Sequence, residues 1–318
     1  MFTTSRLLVV AGKGGVGKTT VTAAMARAAA DTGLRVLVVT LDSRPGMIGL
    51  LGGDPHAMCD YEGVRLATKT GPKKTGSIHV RTITAAEALQ DYLATQGMAR
   101  LAKRLVSTGV VGVVSSAAPG IDDLLVLGKI KHLVTLTGPQ SDHDLIILDG
   151  PAAGHAISFL QAPAAMAETV RGGPIRSQAI EVQAMLKDPE RTRVVMVTLP
   201  ETTPVNELLE STALLADTVG LTFAPVVVNG VDAAPDVTAL VESGQVGDDN
   251  LGQAARFRAA RCALHAREVQ RIDAAVTAGH FSLPHIATAA MTATHIQALG
   301  DSLRAQISGT SKTKVAPS

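Results

Sequence analysis

Apolar residues in this chain form short continuous runs, and most of these runs are separated by stretches with a helical pattern. A short, uninterrupted apolar run is typical of a parallel β-strand that is buried on both faces. Strands that alternate with helices indicate a doubly wound α/β fold with a mainly parallel sheet. The runs that predict strands are residues 7–11, 35–40, 78–83, 145–148, 194–199 and 225–228.

A long helical region interrupts this alternation before the strand at 145–148. It covers roughly residues 85–134 and is broken at Pro119 and Gly120. Insertions above a sheet often carry specificity, so we expect this helical insertion to contact a partner or client. The end of the chain, residues 308–318, is polar and is expected to be a disordered tail. The pattern therefore predicts a single domain over residues 1–307.

The composition limits the classes of partner. Of the 318 residues, 46% are hydrophobic, and 29 basic residues nearly balance 28 acidic ones. No overall charge attracts nucleic acid or an anionic membrane, so no nucleic-acid partner is expected. The longest apolar stretch, residues 105–118, is shorter than a membrane span, and the first predicted strand leaves no room for a signal peptide. Cys59 and Cys262 form no disulfide framework. We therefore expect a cytoplasmic protein without stable membrane insertion.

The first predicted strand ends in the segment AGKGGVGKTT, which matches the phosphate-binding pattern GxxxxGK[ST] and precedes a helix predicted at residues 19–31. In this pattern, backbone N–H groups wrap the phosphates of a nucleotide, the lysine reaches the β and γ oxygens, and the hydroxyl ligates Mg²⁺. Lys18 and Thr19 hold these two side-chain positions. The expected fold is that of a P-loop NTPase. The backbone of the loop comes from Gly12, Gly14, Gly15, Val16 and Gly17.

Two aspartates follow predicted strands and would complete such a site. Asp149 comes directly after the run at 145–148, at the edge of a parallel sheet where ligands bind. Its expected role is to hold a water molecule of the Mg²⁺ shell. Asp42 follows the strand at 35–40 and would face the γ-phosphate and position the attacking water. Helix capping is the alternative role for each aspartate.

The loop, the aspartate after the second strand and the segment DGPAAGH at residues 149–155 together resemble the ArsA family of dimeric ATPases. This family includes arsenical-pump ATPases and the guided-entry targeting factors for tail-anchored proteins. The segments GKIK and RGGPIRSQ, at residues 128–131 and 171–178, look most like one member of a paired bacterial ArsA-like system. Weaker family markers are APGIDD at 118–123, LPE at 199–201, VVVNG at 226–230 and LPHIA at 283–287.

The resemblance implies roles for residues around the loop. Lys13 matches the signature lysine of the deviant loop, which in this family reaches across a dimer interface to the partner's nucleotide. Thr20 would contact the α-phosphate, and Asn229 the amide edge of the adenine of ATP or ADP. The backbone near Pro200 and Pro284 would hold the rest of the base. A solvated loop lysine and a strand-end turn are the alternatives for Lys13 and Asn229.

The two switch segments depart from the family pattern. Asp42 is followed by Ser43, Arg44 and Pro45, where typical members have Pro-Ala-His, and DGPAAGH stands where they have DTAPTGH. Both aspartates are kept, so the changes affect the coupling of hydrolysis to movement. Gly154 and His155 match the second switch, although His155 is equally consistent with a polar residue at a helix start.

These observations predict an Mg²⁺-dependent ATPase that works as a homodimer or as a heterodimer with a paralogous ATPase. Lys13, Lys18 and Asp42 would be catalytic. The nucleotide state would control the conformation and the binding of a partner or a hydrophobic protein client. Two alternatives remain. One is a slow-hydrolysing scaffold or regulatory subunit of a paralogous pair, and the other is a positioning ATPase similar to MinD or ParA.

Two further features of the sequence qualify this prediction. Arsenite pumping is disfavoured, because trivalent arsenic needs a cluster of thiolates and the chain has only Cys59 and Cys262. The arginines of a long helix predicted at 251–278 are expected to form a solvated face, because Glu268 and Asp273 place acidic charge among them. These arginines are Arg256, Arg258, Arg261, Arg267 and Arg271.

Overall fold

A computed structural model of the chain describes residues 1–42, 46–67, 76–95, 97, 120–136, 138, 141–151 and 153–313. The strands are β1 (Leu7–Ala11), β2 (Arg35–Thr40), β3 (Val64–Ala67), β4 (Ser77–Thr82), β5 (Leu145–Asp149), β6 (Thr192–Thr198), β7 (Val226–Val231) and β8 (His280–Pro284). The helices are α1 (Lys18–Ala30), α2 (Met47–Leu50), α3 (Ala85–Thr95), α4 (Ile121–Thr135), α5 (Ala153–Thr169), α6 (Pro174–Lys187), α7 (Thr202–Val219), α8 (Pro235–Glu242), α9 (Asn250–Ala275) and α10 (Ala293–Thr313).

The strands form one sheet in the order β3-β4-β2-β5-β1-β6-β7-β8. Every neighbouring pair is parallel except β3 and β4, which run antiparallel. The predicted doubly wound, mainly parallel α/β fold is therefore confirmed. β1 lies between β5 and β6, so the loop that leaves its carboxyl end emerges at the middle of one edge of the sheet.

Both faces of the sheet are covered by helices, and β1 contributes to both cores. Leu7, Val9 and Ala11 belong to a core built with α4, α5, α6 and α7, whereas Leu8 and Val10 face a core built with α1 and α10. This division follows from the two-residue period of a strand. It also explains why the run is apolar throughout, since neither set of side chains meets water.

Two strands and the end of the last helix differ from the expectations. β3 and β8, the short strands at the two edges of the sheet, were not predicted from the sequence. α10 extends to Thr313, so the structure shows helix over 308–313, where a tail was expected. Adding residues to a helix that is already anchored is easy, and α10 packs closely on α1. Residues 314–318 lie outside the described part of the chain.

Of the expected helical insertion, the structure describes its two ends. α3 opens it and α4 closes it, and α4 begins after Gly120, whose φ of 87° suits a glycine. The expected break at Pro119 and the apolar stretch 105–118 fall outside the described residues. Among the helices that are described, none has both the length and the apolar character needed to cross a membrane.

Candidate nucleotide-binding site

The loop between β1 and α1 has a backbone shape that only glycine accommodates at two positions. Gly12 has a φ of 147°, and a Cβ atom there would lie 2.2 Å from the carbonyl oxygen of Val197 in β6. Gly17 has a φ of 86°, and a Cβ atom would lie 2.4 Å from Nδ2 of Asn229. Positive φ and close contact both exclude larger residues. The glycines therefore allow the phosphate-binding loop to lie close against Val197 of β6 and Asn229 of β7.

α1 begins at Lys18, directly after this loop, and no acidic residue lies in its first turn. The free N–H groups of a helix start and the helix dipole both favour an anion at this place. Thr19 and Thr20 lie in the first turn, as the sequence analysis placed them. The loop and the helix start together form a phosphate-binding geometry.

The Lys18 side chain folds back over its own loop. Its Nζ donates hydrogen bonds to the carbonyl oxygens of Gly12 and Lys13, both at 3.0 Å. Partial burial lowers the pKa of Lys18, and the charge of Asp149 opposes that shift. A phosphate in the loop would offer Nζ charged acceptors, which make stronger hydrogen bonds than neutral carbonyl groups. The ammonium group is thus held at the place where β and γ oxygens are expected.

Asp149, at the end of β5, accepts hydrogen bonds from two threonines of α1. The Thr19 hydroxyl donates to Oδ2 at 2.8 Å and the Thr22 hydroxyl to Oδ1 at 3.1 Å. Burial raises the pKa of Asp149 most, the two hydroxyls and Lys18 lower it, and the charge of Asp42 raises it. Thr22 was not predicted from the sequence, although it lies one helical turn after Thr19. The hydroxyl and carboxylate oxygens suit Mg²⁺, which prefers hard ligands.

Asp42 lies at the carboxyl end of β2, close enough for its charge to raise the pKa of Asp149. Its side chain is exposed, and its carbonyl oxygen accepts a hydrogen bond of 3.4 Å from the Thr82 hydroxyl. The structure therefore brings the two predicted aspartates to the same edge of the sheet. The catalytic role of Asp42 stays a prediction, and the altered residues 43–45 lie outside the described part of the chain.

Lys13 makes an ion pair within its own chain, which the sequence analysis did not predict. Its Nζ contacts Oε1 of Glu207 in α7. The two side chains are 38% and 39% exposed. The other carboxylate oxygen, Oε2, is buried and has no hydrogen-bond partner among the described residues. In this monomer Lys13 is thus neither fully solvated nor extended away from the protein.

A cavity of about 240 Å³ lies next to this ion pair. It is bounded by the loop, β6, the start of α5 and α7. Lys13 and Glu207 line it together with Gly154 and Ile157 of α5. Movement of Lys13 and movement of the second switch, at the start of α5, would therefore both change the shape of this cavity.

The three residues expected at the base follow or end neighbouring strands. Asn229 is in β7, Pro200 follows β6, and Pro284 ends β8 opposite Val231. The Asn229 amide donates a hydrogen bond from Nδ2 to the carbonyl oxygen of Val16, at 2.9 Å. Its Oδ1 atom is left as an acceptor that can meet an exocyclic amino group. The strand-end turn and the base contact are thus compatible roles for Asn229.

His155 lies in the first turn of α5 and contacts the helical insertion. Its Nε2 atom is 3.4 Å from Oδ1 of Asp123 in the first turn of α4, and its Nδ1 atom is 3.3 Å from the Ser158 hydroxyl. Burial raises the pKa of Asp123, while His155 lowers it and Asp122 raises it further. The second switch and the last helix of the insertion are therefore in direct polar contact.

The arginines of the long helix α9 are exposed or partly exposed, and three of them also bind buried carboxylates. Arg258 and Arg261 bind the buried carboxylate of Asp232, and Arg271 binds the buried carboxylate of Glu268. Their side chains are still 50%, 36% and 39% exposed, so the face is solvated as expected; the charge pattern along the helix did not show that the carboxylates of Asp232 and Glu268 are buried.

Comparison with known proteins agrees with this geometry. Residues 5–173 match the sequence model of the ArsA family, described as anion-transporting ATPases. The chain is 32% identical to ATPase BagA of Mycobacterium tuberculosis over 254 residues, which cover 77% of this chain and 72% of that protein. It is 28% identical to the arsenical pump-driving ATPase of Escherichia coli over 217 residues, which cover 66% of this chain and 32% of that protein.

The part that matches the family contains the loop, Asp42, Asp149 and His155, while Asn229 and the rest of the base side lie beyond it. The phosphate-binding geometry at the carboxyl end of β1 and this match, which spans more than half of the chain, give the same assignment. The chain belongs to the ArsA family of anion-transporting ATPases and is an ATPase.

Proposed function

We propose that this ATPase binds ATP and Mg²⁺ at the loop between β1 and α1 and hydrolyses ATP as a dimer. The observation that carries the proposal is the 2.8 Å hydrogen bond from Thr19 to Asp149, beside Lys18 and the start of α1. These residues offer oxygen ligands to a hard cation and N–H donors to phosphates. Bound Mg²⁺ would neutralise charge on the β and γ oxygens.

The residues of the chain then have separate tasks. Lys18 would exchange two backbone carbonyl groups for phosphate oxygens, and Thr19 and Asp149 are the residues that would hold the metal, which would supply positive charge beside the phosphates. Asp42, at the neighbouring strand end, positions the attacking water. One N–H of the Asn229 amide donates to Val16 and orients the side chain, so that its carbonyl oxygen can accept a hydrogen bond from the amino group of adenine.

Lys13 completes the site of the partner subunit in this proposal. To do so it must leave Glu207, and an ion pair that is more than a third exposed on both sides stabilises the resting state by only about 0.2–1 kcal/mol. The triphosphate of the partner would offer several charged oxygens in place of one carboxylate. The exchange of partners is therefore energetically accessible, and the Lys13–Glu207 pair describes the resting subunit.

The contact between His155 and Asp123 supports a path from the nucleotide to the helical insertion. His155 is in the switch that follows Asp149, and Asp123 is in the helix that closes the insertion. Nucleotide-dependent movement at the start of α5 would therefore act on α4. This is the basis for proposing that the nucleotide state controls the binding of a partner, with a hydrophobic protein as the client class.

The test is a comparison of Lys13→Ala and Lys18→Ala in the full chain with Mg²⁺. We expect Lys13→Ala to keep the calorimetric affinity for ATP while turnover at high protein concentration falls by about 10³-fold or more, as for other charges supplied in trans. Lys18→Ala should weaken ATP binding itself. Equal loss of binding in both variants would contradict the division of labour, and absence of ATP binding by the unaltered chain would contradict the function.

The sequence of the switches favours a second candidate, a scaffold that binds ATP and hydrolyses it slowly. The segment after Asp149 is Gly-Pro-Ala-Ala-Gly-His, which differs from the family pattern at the residues expected to move. A single-turnover experiment separates the candidates. An ATPase that cycles releases phosphate from the bound ATP, whereas a scaffold keeps the ATP intact within the lifetime of its complex.

A further inference from the structure

Helix α9 lies behind the two loops that are expected to hold the base. We use the name base-side loops for residues 199–202, which lead from β6 into α7, and for residues 229–232, which form the end of β7 and the residue after it. The first contains Pro200 and the second Asn229. Each loop is tied to α9 by a carboxylate that is almost completely buried. Asp232 is 6% exposed and Glu268 is 2% exposed.

Asp232, at the end of the second base-side loop, is bound by three residues of α9. Arg258 donates from Nε and Nη2 to both carboxylate oxygens at 3.0 Å, and Arg261 donates from Nη2 to Oδ2 at 2.6 Å. The backbone N–H of Asp232 donates to Nδ1 of His265 at 3.0 Å. The two guanidinium groups hold the pKa of Asp232 well below its ordinary value. Moving the loop away from α9 would break these ion pairs and leave the buried carboxylate of Asp232 without its charged partners, which costs free energy.

Glu268 ties the first base-side loop to the same helix. The Thr202 hydroxyl, directly after Pro200 and Glu201, donates to Oε1 of Glu268 at 3.2 Å. Arg271 donates to Oε2 at 2.5 Å and, with its other terminal nitrogen, to Oδ1 of Asn206 in α7 at 2.8 Å. One rigid helix therefore fixes both loops, with His265 between the two attachment points.

The spacing of these loops decides how Asn229 can meet a base. One N–H of the Asn229 amide donates to the Val16 carbonyl and fixes the orientation of the amide, which leaves Oδ1 as an acceptor and the second N–H as a donor. Adenine presents an amino group at the position where guanine presents a carbonyl oxygen, and only the amino group can donate to Oδ1. This discrimination requires that Asn229 keep its orientation, and Asp232 anchors the loop three residues further along the chain.

We propose that α9 is the positioning element of the adenine subsite, and that Asp232 and Glu268 are positioning residues that set the two base-side loops for ATP. The proposal rests on the proposed nucleotide function and deepens it. The phosphates would contact the loop between β1 and α1, to which none of these attachments is made. The attachments should therefore affect the affinity for the nucleoside part and leave the affinity for phosphates unchanged.

The experiment uses the full chain and three variants, Asp232→Asn, Arg258→Ala and Glu268→Gln. The matched control is Arg256→Ala, because Arg256 is also in α9 but pairs with Asp248, whose side chain is 98% exposed. Binding of ATP, GTP and inorganic triphosphate is measured by calorimetry with Mg²⁺. Arg258→Ala leaves Arg261 on the carboxylate, so it reports on the attachment if Asp232→Asn does not fold.

We expect each variant to weaken ATP binding by roughly tenfold, the scale of one charged hydrogen bond, and to narrow the preference for ATP over GTP. Triphosphate binding should stay unchanged, and the control should behave like the unaltered chain. Equal losses for ATP and triphosphate would mean that the clusters only maintain the fold, and this would overturn the proposal. Unchanged ATP binding in Arg258→Ala and Glu268→Gln would overturn it as well.

The unaltered chain separates failure of this proposal from failure of the nucleotide function. If it binds inorganic triphosphate with the same affinity as ATP, there is no base subsite for α9 to position, and the proposal fails while the phosphate site stands. If it binds neither ligand, the proposed nucleotide function fails first.

Discussion

Replacing Glu207 with glutamine removes the charge that holds Lys13 within its own chain and keeps the shape of the side chain. The ion pair joins two side chains that are 38% and 39% exposed, so water and salt screen it. Pairs of this kind stabilise their geometry by about 0.2–1 kcal/mol. One oxygen of Glu207 is buried, so water screens this pair less than a fully exposed one, and the upper end of that range applies.

A free-energy change of about 1 kcal/mol raises the ratio of released to paired Lys13 roughly fivefold. A symmetric dimer needs two released lysines, so the dimerisation constant in the presence of ATP should rise by up to about 25-fold if the two act independently. The protein concentration at half-maximal turnover should fall in the same direction. The maximal turnover should change little, because Lys13 itself is unchanged.

The assay is ATP turnover per chain measured over a wide range of protein concentrations. Glu210→Gln is the matched control, because Glu210 lines the same cavity in the same helix but does not pair with Lys13. In the double variant with Lys13→Ala, the effect of Glu207→Gln should disappear. A fall in turnover like that of Lys13→Ala would refute the reasoning, because it would show that Glu207 is needed in the active dimer.

Two other predictions concern the loop and the stability of the fold. Gly17→Ala should abolish ATP binding, because the added Cβ atom would lie 2.4 Å from Nδ2 of Asn229. Gly244→Ala is the control: Gly244 has a φ of 70° but no neighbouring atom within 4 Å of an added Cβ, so this change should cause only local strain. Calorimetry with ATP and melting curves of both variants test this. Burial, and then the neighbouring His79, lower the pKa of His143 to about 4. A lowered histidine pKa gives stability that is complete above the unfolded value near 6.5 and is lost as the pH falls toward 4, so the free energy of unfolding should drop by about 1 kcal/mol between pH 7 and pH 5 after allowance for partial exposure. Urea unfolding of the unaltered chain and His143→Gln at both pH values measures it, and an equal drop in both would contradict the assignment.

The phosphate side of the site could be predicted from the sequence because its parts are local or lie at strand ends. The loop and Lys18 are contiguous, and Asp149 follows a buried run that reads as a strand. The carboxyl ends of adjacent parallel strands meet at one edge, so Asp42 and Asp149 had to come near the loop. No knowledge of the helix packing was required for these positions.

The remaining contacts depend on packing that a single sequence does not encode in a readable way. Lys13 and Glu207 are 194 residues apart, and any of several acidic residues of α7 could have reached the loop. Arg258 and Asp232 are 26 residues apart, and the pattern of charges along α9 gave no sign that Arg258 has a buried partner. Edge strands such as β3 are too short for a two-residue period to be distinctive.

The residues expected to bind the nucleotide also make local contacts, whereas the residues expected to respond to it depend on the packing of helices. The contacts of Lys18, Thr19 and Asp149 lie within one loop, one helix start and one strand end, so they persist whatever the surrounding helices do. Lys13 and His155, in contrast, each reach a different helix through a single polar contact. The altered switch residues directly follow Asp42 and Asp149 but replace neither of them, so they should change how hydrolysis drives movement before they change the affinity for ATP. A variant that restores the family pattern DTAPTGH at residues 149–155 should therefore alter turnover and leave the ATP dissociation constant nearly constant. A large change in that constant would show that switch and phosphate site are not independent.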